Sequence, residues 1–321
     1  MDLNLRFWSV EGKSFFQRYL HWLDILDPTH LLKSKNDIED SRLLLETNPQ
    51  TLQEPLRNKQ VKQAWMLSLS SVQSGTGEII PFAFRPPAFL PIVTPLLFTS
   101  LLPHREAKHM FIWQFLFYAY TAGFTIANGN ATAKAEDIPL PQKQLLLCTG
   151  TVFYAASVGT FPTFAMKRYG LNSPTVKTFY RRILPIPLVA GLSAFNVMIP
   201  RGVEFENGIE VMDKNGNVIG VSQKAGMKAV RETALSRAAL FGTAILIPDS
   251  LLYFIKRTHY LVRNPQALPG MRMILTFLVL GMMLPVSFSI FPQLGKINRD
   301  DLETEILSST EETELFYNRG F

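Results

Sequence analysis

The chain has 321 residues, with 32 Lys plus Arg against 26 Asp plus Glu and a formal net charge of +6. A single cysteine, Cys148, excludes an intramolecular disulfide scaffold and any multi-cysteine zinc or iron–sulfur ligand set. Mean hydropathy is +0.11 and only 18% of residues are charged, most of them in 1–85, in 296–321 and in a few loops, which does not fit an ordinary soluble domain.

The first ten residues lack an apolar core, and Asp2 with a single Arg6 does not make an arginine-rich transit peptide, so any targeting signal is expected to be internal. Over 13–26, Phe15, Tyr19, Trp22 or Leu23, and Leu26 recur at helical spacing, and Asp27-Pro28 stops the helix. With Lys13 and Arg18 it fits two settings, a lipid headgroup region or a seat against a membrane domain. A second helix is predicted from a cap at Asn36 or Asp37 through Leu45, and a third after Pro55, with Val61, Ala64, Trp65 and Leu69. Region 1–85 is thus read as soluble or interfacial helix.

Six uncharged or nearly uncharged tracts follow, at 86–103, 110–127, 144–166, 183–200, 238–255 and 273–295. Eighteen helical residues reach roughly 27 Å, close to the hydrocarbon thickness of a bilayer. A soluble helical protein with a large core would carry charges on one face of each helix, and most of these tracts carry none. The fold class is therefore an all-α polytopic membrane protein with five or six transmembrane helices. The count turns on the first tract, where Pro86, Pro87, Pro91, Pro95 and Pro103 predict a broken or re-entrant segment. The second carries Gln114, Tyr118 and Tyr120, although Ala119, Gly123 and Ala127 suit close helix packing.

Within the loop at 201–237, Ile209 and Val211, then Asp213-Lys214-Asn215-Gly216-Asn217, then Val218 and Ile219, predict a small β-hairpin turned at Asn-Gly. The spacing fails for a calcium loop. The membrane domain spans 86–295, and 296–321 forms an acidic tail. The loops at 167–182 (Lys167, Arg168, Lys177, Arg181, Arg182) and 256–272 (Lys256, Arg257, Arg263, Arg272) hold no acid and share a side, which the positive-inside rule makes cytoplasmic or matrix. The tail falls opposite. Five spans would put the N-terminal region with the basic loops, six with the tail.

No catalytic set emerges. The Gly75-Thr76-Gly77-Glu78 stretch has no following Lys to hold phosphate, and His104 and His109 do not share a helical face as metal ligands would. Neither a metal nor another cofactor is expected, and no enzymatic reaction. The basic loops are read as anionic-lipid contacts, not as a nucleic-acid surface. Asn130-Ala131-Thr132 is a glycosylation sequon that matters only in a secretory compartment.

Polarity inside the apolar tracts carries the functional reading, because lipid solvates charges and carboxamides poorly. Asp249 follows Pro248 and either lines a water-filled path or hydrates near an interface. Asn196 and Arg201 offer amide donors and a fixed cation suited to a substrate carboxylate; the alternative is helix–helix hydrogen bonding and an interfacial anchor. Asn128, just past the second tract, joins them as a path candidate. Proline recurs in five of the six tracts, as expected of helices broken around a cavity, which favours a carrier over an anchor.

Several landmarks match a known family in order and spacing: Leu26-Asp27-Pro28, the turn at 213–217, Phe291-Pro292-Gln293, and Asn318-Arg319-Gly320-Phe321. The chain resembles the sideroflexins over nearly its whole length. Their signature His-Pro-Asp-Thr-Gly-Glu corresponds to Gln73-Ser74-Gly75-Thr76-Gly77-Glu78, of which Thr76, Gly77 and Glu78 are kept. Their Asn-Ile-Pro corresponds to Asn196-Val197-Met198, with proline displaced to Pro200 and Arg201 retained. The resemblance implies a multi-span protein of the mitochondrial inner membrane, with the basic loops in the matrix and the C-terminus in the intermembrane space, from a family that carries serine and related small neutral amino acids. It is strongest to a divergent branch that is associated with complex I assembly, respiration and iron homeostasis and is not regarded as a serine carrier. Two functions are thereby implied: a carrier with Asn128, Asn196, Arg201 and Asp249 on its path, or an assembly factor that docks complex I assembly proteins through its tail and the helices of 1–85. A lone Cys148 makes any link to iron indirect.

Overall fold

The computed structural model describes residues 2–47, 58–102, 104, 106–130, 142–170, 173–255 and 264–321. Local capping chemistry sets the N-terminal helices. The Asp2 carboxylate accepts from the Asn4 amide at 2.9 Å and opens α1 (Leu3–Glu11), a helix the sequence reading did not anticipate. Ser14 and Gln17 form a reciprocal capping box at the start of α2 (Phe15–Ile25). Before α3 (Lys35–Thr47) the same reciprocal bonds join Ser34 and Asp37, so the cap is Ser34 and not the expected Asn36 or Asp37. Asn58 caps α4 (Lys59–Ser71); Pro55, expected to precede it, lies outside the described residues.

α2 uses two faces. Trp22 and Ile25 are buried, with the Trp22 ring 4.7 Å from Phe288 and 5.0 Å from Phe321, while Phe15, Phe16, Leu20 and Leu23 remain exposed. One face therefore seats the helix on the bundle, and the other presents apolar surface of the kind found in interfacial helices.

The bundle begins with α5 (Pro86–Leu101) and α6 (Ala107–Ala127), followed by α7 (Gln142–Arg168). A short α8 (Pro174–Thr178) runs through a π-helical turn, Phe179–Ile183, into α9 (Pro185–Met198). After α10 (Val203–Asn207), β1 (Ile209–Met212) and β2 (Val218–Ser222) come α11 (Gln223–Ile255) and α12 (Leu268–Ser289). β3 (Leu294–Asn298), α13 (Thr304–Ser309) and β4 (Glu314–Asn318) complete the chain.

Among the described residues, four helices are long and apolar enough to cross a membrane: α6, α7, α11 and α12. The first and fourth tracts form the shorter helices α5 and α9, of 16 and 14 residues, which reach only about 24 and 21 Å. The first tract, expected to be broken or re-entrant, is one continuous helix. Pro86 and Pro87 sit in its opening turn, where no intrahelical donor is lost, and Pro91 and Pro95, four apart, share its exposed face. Rings fill the core: Phe89 lies 4.5 Å from Phe124, and Phe117 5.1 Å from Phe241. Gly123, from the small-residue series on α6, admits the Phe84 ring to within 2.9 Å of where a Cβ would stand.

At 33 residues, α11 is about 50 Å long and outreaches a bilayer. Its first turns, with Ala225 and Ala229, pack against a four-stranded antiparallel sheet of order β2-β1-β4-β3. The expected hairpin forms β1 and β2. The Asp213 carboxylate accepts from the Asn215 and Asn217 amides at 2.8 Å, and Gly216 takes φ +84°, so this carboxylate serves the turn. The other two strands are β3, which leads into the acidic tail, and β4 within it; Ile297, Leu315 and Tyr317 alternate inward on them, opposite Lys296, Asn298, Phe316 and Asn318.

Candidate functional site

Polar groups gather at the two ends of α12, which at 22 residues are roughly 33 Å apart. At its C-terminal end, the buried Arg201 guanidinium grips the buried Glu204 through two bonds, Nε to Oε1 at 2.6 Å and Nη2 to Oε2 at 2.7 Å. Such a fork fits a carboxylate bidentately. Arg201 Nη1 donates to Thr233 Oγ1 at 3.1 Å, and Nη2 donates also to the backbone carbonyl of Arg319 at 2.7 Å. Glu204 Oε2 further accepts from Asn130 Nδ2 at 3.0 Å; the rest of that sequon, Ala131 and Thr132, lies outside the described residues.

Asn128 closes α6 in the same cluster. Its Nδ2 donates to the Phe124 and Phe84 carbonyls at 2.8 and 2.9 Å, and its own carbonyl accepts the Phe321 amide at 3.1 Å. Arg319 binds inward as well: its amide donates to the Gln293 carbonyl at 2.9 Å and its Nη2 to the Phe288 carbonyl at 3.0 Å. Burial pushes the Arg319 pKa down to about 10, which leaves it charged at neutral pH. Gly320, at φ +68°, lets the chain pass between Arg201 and the Asn128 carbonyl.

The signature remnant Thr76, Gly77 and Glu78 belongs to a tight turn that docks beside this latch. The Gln73 amide donates to the Glu78 carbonyl at 2.9 Å, Thr76 Oγ1 donates to Gln73 Oε1 at 3.1 Å, and Gly77 takes φ +72°. Gln73 Nε2 then donates to the Gly129 carbonyl at 2.8 Å, next to Asn128. A space of about 10 Å³, room for one water, remains between Gln73, Asn128, Gln293 and Phe321. Motifs scattered along the sequence, at 73–78, 291–293 and 318–321, thus meet at one end of the bundle.

Asn196 stands five residues before Arg201 and spans two helices, its Nδ2 donating to the Tyr118 carbonyl at 3.0 Å and Thr121 Oγ1 at 2.9 Å. Two buried charges here went unnoticed in the sequence. Glu204 lies i+3 from Arg201, a spacing that could have revealed the pair. Arg237 ends the loop at 201–237, one residue before the fifth tract; it is buried, its guanidinium 4.4 Å from the Phe288 ring centre and 5.5 Å from that of Phe89.

Asp249 lies apart, at the opposite end. Its carboxylate pairs with the Arg272 guanidinium at 2.9 Å, both side chains about a quarter exposed. The pair forms part of the wall of a cavity of about 800 Å³ between the helices, together with Gln114, Pro162, Leu188 and Leu252. Lys167, Lys177, Arg181 and Arg182 also line it, so basic residues from both predicted loops converge there; Lys256, Arg257 and Arg263 lie outside the described residues. The structure therefore unites Asn128 and Arg201 around the C-terminal residues, sets Asn196 between helices, and leaves Asp249 alone on an open cavity.

Comparison with known proteins bears on the whole chain. A family model described as Sideroflexins matches residues 2–321. The chain is 46% identical over 320 residues to Sideroflexin-4 of Danio rerio, with both chains covered in full. Identity to Sideroflexin-4 of Homo sapiens is 43%, covering 100% of this chain and 93% of that one. To Sideroflexin-5 of Homo sapiens it is 30% over 308 residues, 96% of this chain and 89% of the other. No solved structure matches.

Proposed function

The chain belongs to the sideroflexin family, and on that premise we propose that it is a multi-pass carrier of the amino-acid transporter type in the mitochondrial inner membrane. Its substrate is a small neutral amino acid other than serine, and its link to respiration and iron homeostasis follows from that supply. The observation that carries this reading is the cavity of about 800 Å³ with the Asp249–Arg272 pair on its wall. A carboxylate beside a guanidinium complements the ammonium and carboxylate of a zwitterion. Carriage requires no bond to be made or broken, so no enzymatic chemistry is assigned.

The packing of α2 against Phe321 supports a topology of six passes, with α5 and α9 as the short ones, because it sets the N-terminal region and the tail at the same end. The basic loops then face the matrix and both termini the intermembrane space. The test is uptake of a panel of labelled amino acids by proteoliposomes against empty vesicles. Saturable uptake that falls in Asp249→Asn is the expected result; no uptake of any amino acid by folded protein would count against carriage.

A second reading, an assembly factor for complex I without transport, is favoured by a different observation. Asn196 and Arg201 are engaged inside the protein, whereas Asp300, Asp301, Glu305 and Glu311 stand exposed on the tail, where partner proteins could dock. Replacing these four acids by their amides tests it. Complex I assembly, followed on native gels, should fall while the variant remains inserted and folded.

A further inference from the structure

The same cavity has a basic rim that the carrier reading does not use. Lys177, Tyr180, Arg181 and Arg182 all line it, from one stretch of chain that passes through the π-helical turn Phe179–Ile183. An i to i+5 turn widens the helix by one residue, and such turns recur at functional sites. No carboxylate pairs with Lys177, Arg181 or Arg182 among the described residues. Asp249 is the one acid on the described cavity wall, and it is already matched by Arg272. Lys177, Arg181 and Arg182 thus line a space whose single carboxylate is already matched by Arg272, an environment that draws in an anion.

The apolar neighbours say at what depth that anion lies. Phe179 and Ile183 flank the arginines on the same turn, and Tyr253, near the end of α11, lines the same cavity; all three are exposed. The rim also adjoins the end of α7 at Lys167 and the start of α12 near Leu268 and Arg272. Cations at the ends of apolar helices, with aromatic and aliphatic side chains facing outward around them, stand at headgroup depth in a bilayer. A soluble anion needs the cations and has no use for the apolar collar. A phospholipid uses both, phosphate against the cations and acyl chains along the collar.

We propose that this rim is a binding site for the phosphate of an anionic phospholipid headgroup, held by Lys177, Arg181 and Arg182. Both guanidiniums can meet phosphate oxygens in a fork, and Lys177 adds a point charge. The site is independent of whether the protein carries a solute, since binding is read without transport.

The experiment uses the full chain in detergent micelles, titrated separately with phosphatidylglycerol, cardiolipin, phosphatidylcholine and inorganic phosphate. Retained lipid is counted by native mass spectrometry, and melting temperature is followed in parallel. The two anionic lipids should be retained and raise the melting temperature, with phosphatidylcholine and inorganic phosphate inert. Lys177→Gln/Arg181→Gln/Arg182→Gln should weaken retention on the order of tenfold or more, since each cation near an anionic surface contributes appreciably. Arg181→Lys/Arg182→Lys, which keeps the charge, should retain most of it, and binding to the unaltered protein should weaken as salt rises. Undiminished retention by the triple variant overturns the site. Equal stabilisation by inorganic phosphate overturns the lipid assignment and gives the rim to a soluble anion.

Discussion

The guanidinium of Arg201 donates to the backbone carbonyl of Arg319 at 2.7 Å, across 118 positions of sequence. Through this bond the Arg201–Glu204 pair fixes the C-terminal residues to the bundle. Removing one partner of a buried pair strands the other, at a cost of about 3–5 kcal/mol. Arg201→Met is therefore expected to lower the melting temperature sharply and to free the tail, whereas Arg201→Met/Glu204→Met should recover part of the loss. Thermal melts of the purified variants check both. An Arg201→Met protein as stable as the parent would mean that this contact does not fix the tail to the bundle.

Gly320 provides a gentler probe of the same latch. At φ +68° a side chain is strained by about 1–2 kcal/mol, and a Cβ here would stand 3.0 Å from Arg201 Nη2 and 3.3 Å from the Asn128 carbonyl. Gly320→Val should loosen residues 318–321 without unfolding the helices. Limited proteolysis from the C-terminus is expected to release the tail faster, at unchanged helical content.

The docking of α1 on α2 should depend on pH. His21 is buried between these helices, its ring 5.2 Å from Phe7 and 6.3 Å from Trp8, and burial lowers its pKa, an effect that nearby Glu11 partly opposes. A histidine whose folded pKa lies below its unfolded value binds fewer protons when folded, so its site is fully stable above about 6.5 and weakens as pH falls through the lowered value. Asp27 and Asp37, lowered by hydrogen bonds from the Thr29 and Ser34 amides, also lose stability in acid, but in the carboxylate range near pH 4 and below. Melting temperature should thus fall as pH drops below about 6.5, and His21→Gln should flatten that limb while leaving the carboxylate limb at lower pH.

These residues also mark what the sequence could disclose. The hairpin was legible because Asn215-Gly216 dictates its turn locally, and α2 because its spacing and the Asp27-Pro28 stop are local too. The two strands of the tail were hidden, since each is only five residues long and they are separated by a run whose acids dominate composition. Arg201 and Asn128 stood out as polar groups beside apolar tracts, but their contacts with Arg319 and Phe321 join distant stretches that no periodicity connects. Arg237 was missed because a hydropathy boundary fell one residue short of it, although α11 continues unbroken from Gln223. Proline count misled in the opposite sense: five prolines predicted a broken or re-entrant first tract, yet Pro86 and Pro87 fall in the opening turn of α5 and the helix runs unbroken to Leu101.

Asp249 allows structural and functional roles to be told apart. With both side chains about a quarter exposed, its pair with Arg272 is solvated enough that breaking it should cost at most about 1 kcal/mol. Asp249→Asn keeps the shape and hydrogen-bonding capacity of the side chain while removing its charge, so the melting temperature should move little. If the pair receives a zwitterionic solute, uptake should nevertheless fall on the order of tenfold or more, because the charge-assisted bond to the substrate ammonium is lost. The exchange Asp249→Arg/Arg272→Asp restores the ion pair but reverses its direction across the cavity. A purely structural pair should tolerate that exchange, whereas a substrate-orienting pair should not. Flux measured beside melting temperature for Asp249→Asn, Arg272→Gln and the exchange variant decides the matter, and parental flux in all three, with the fold intact, would take Asp249 off the path.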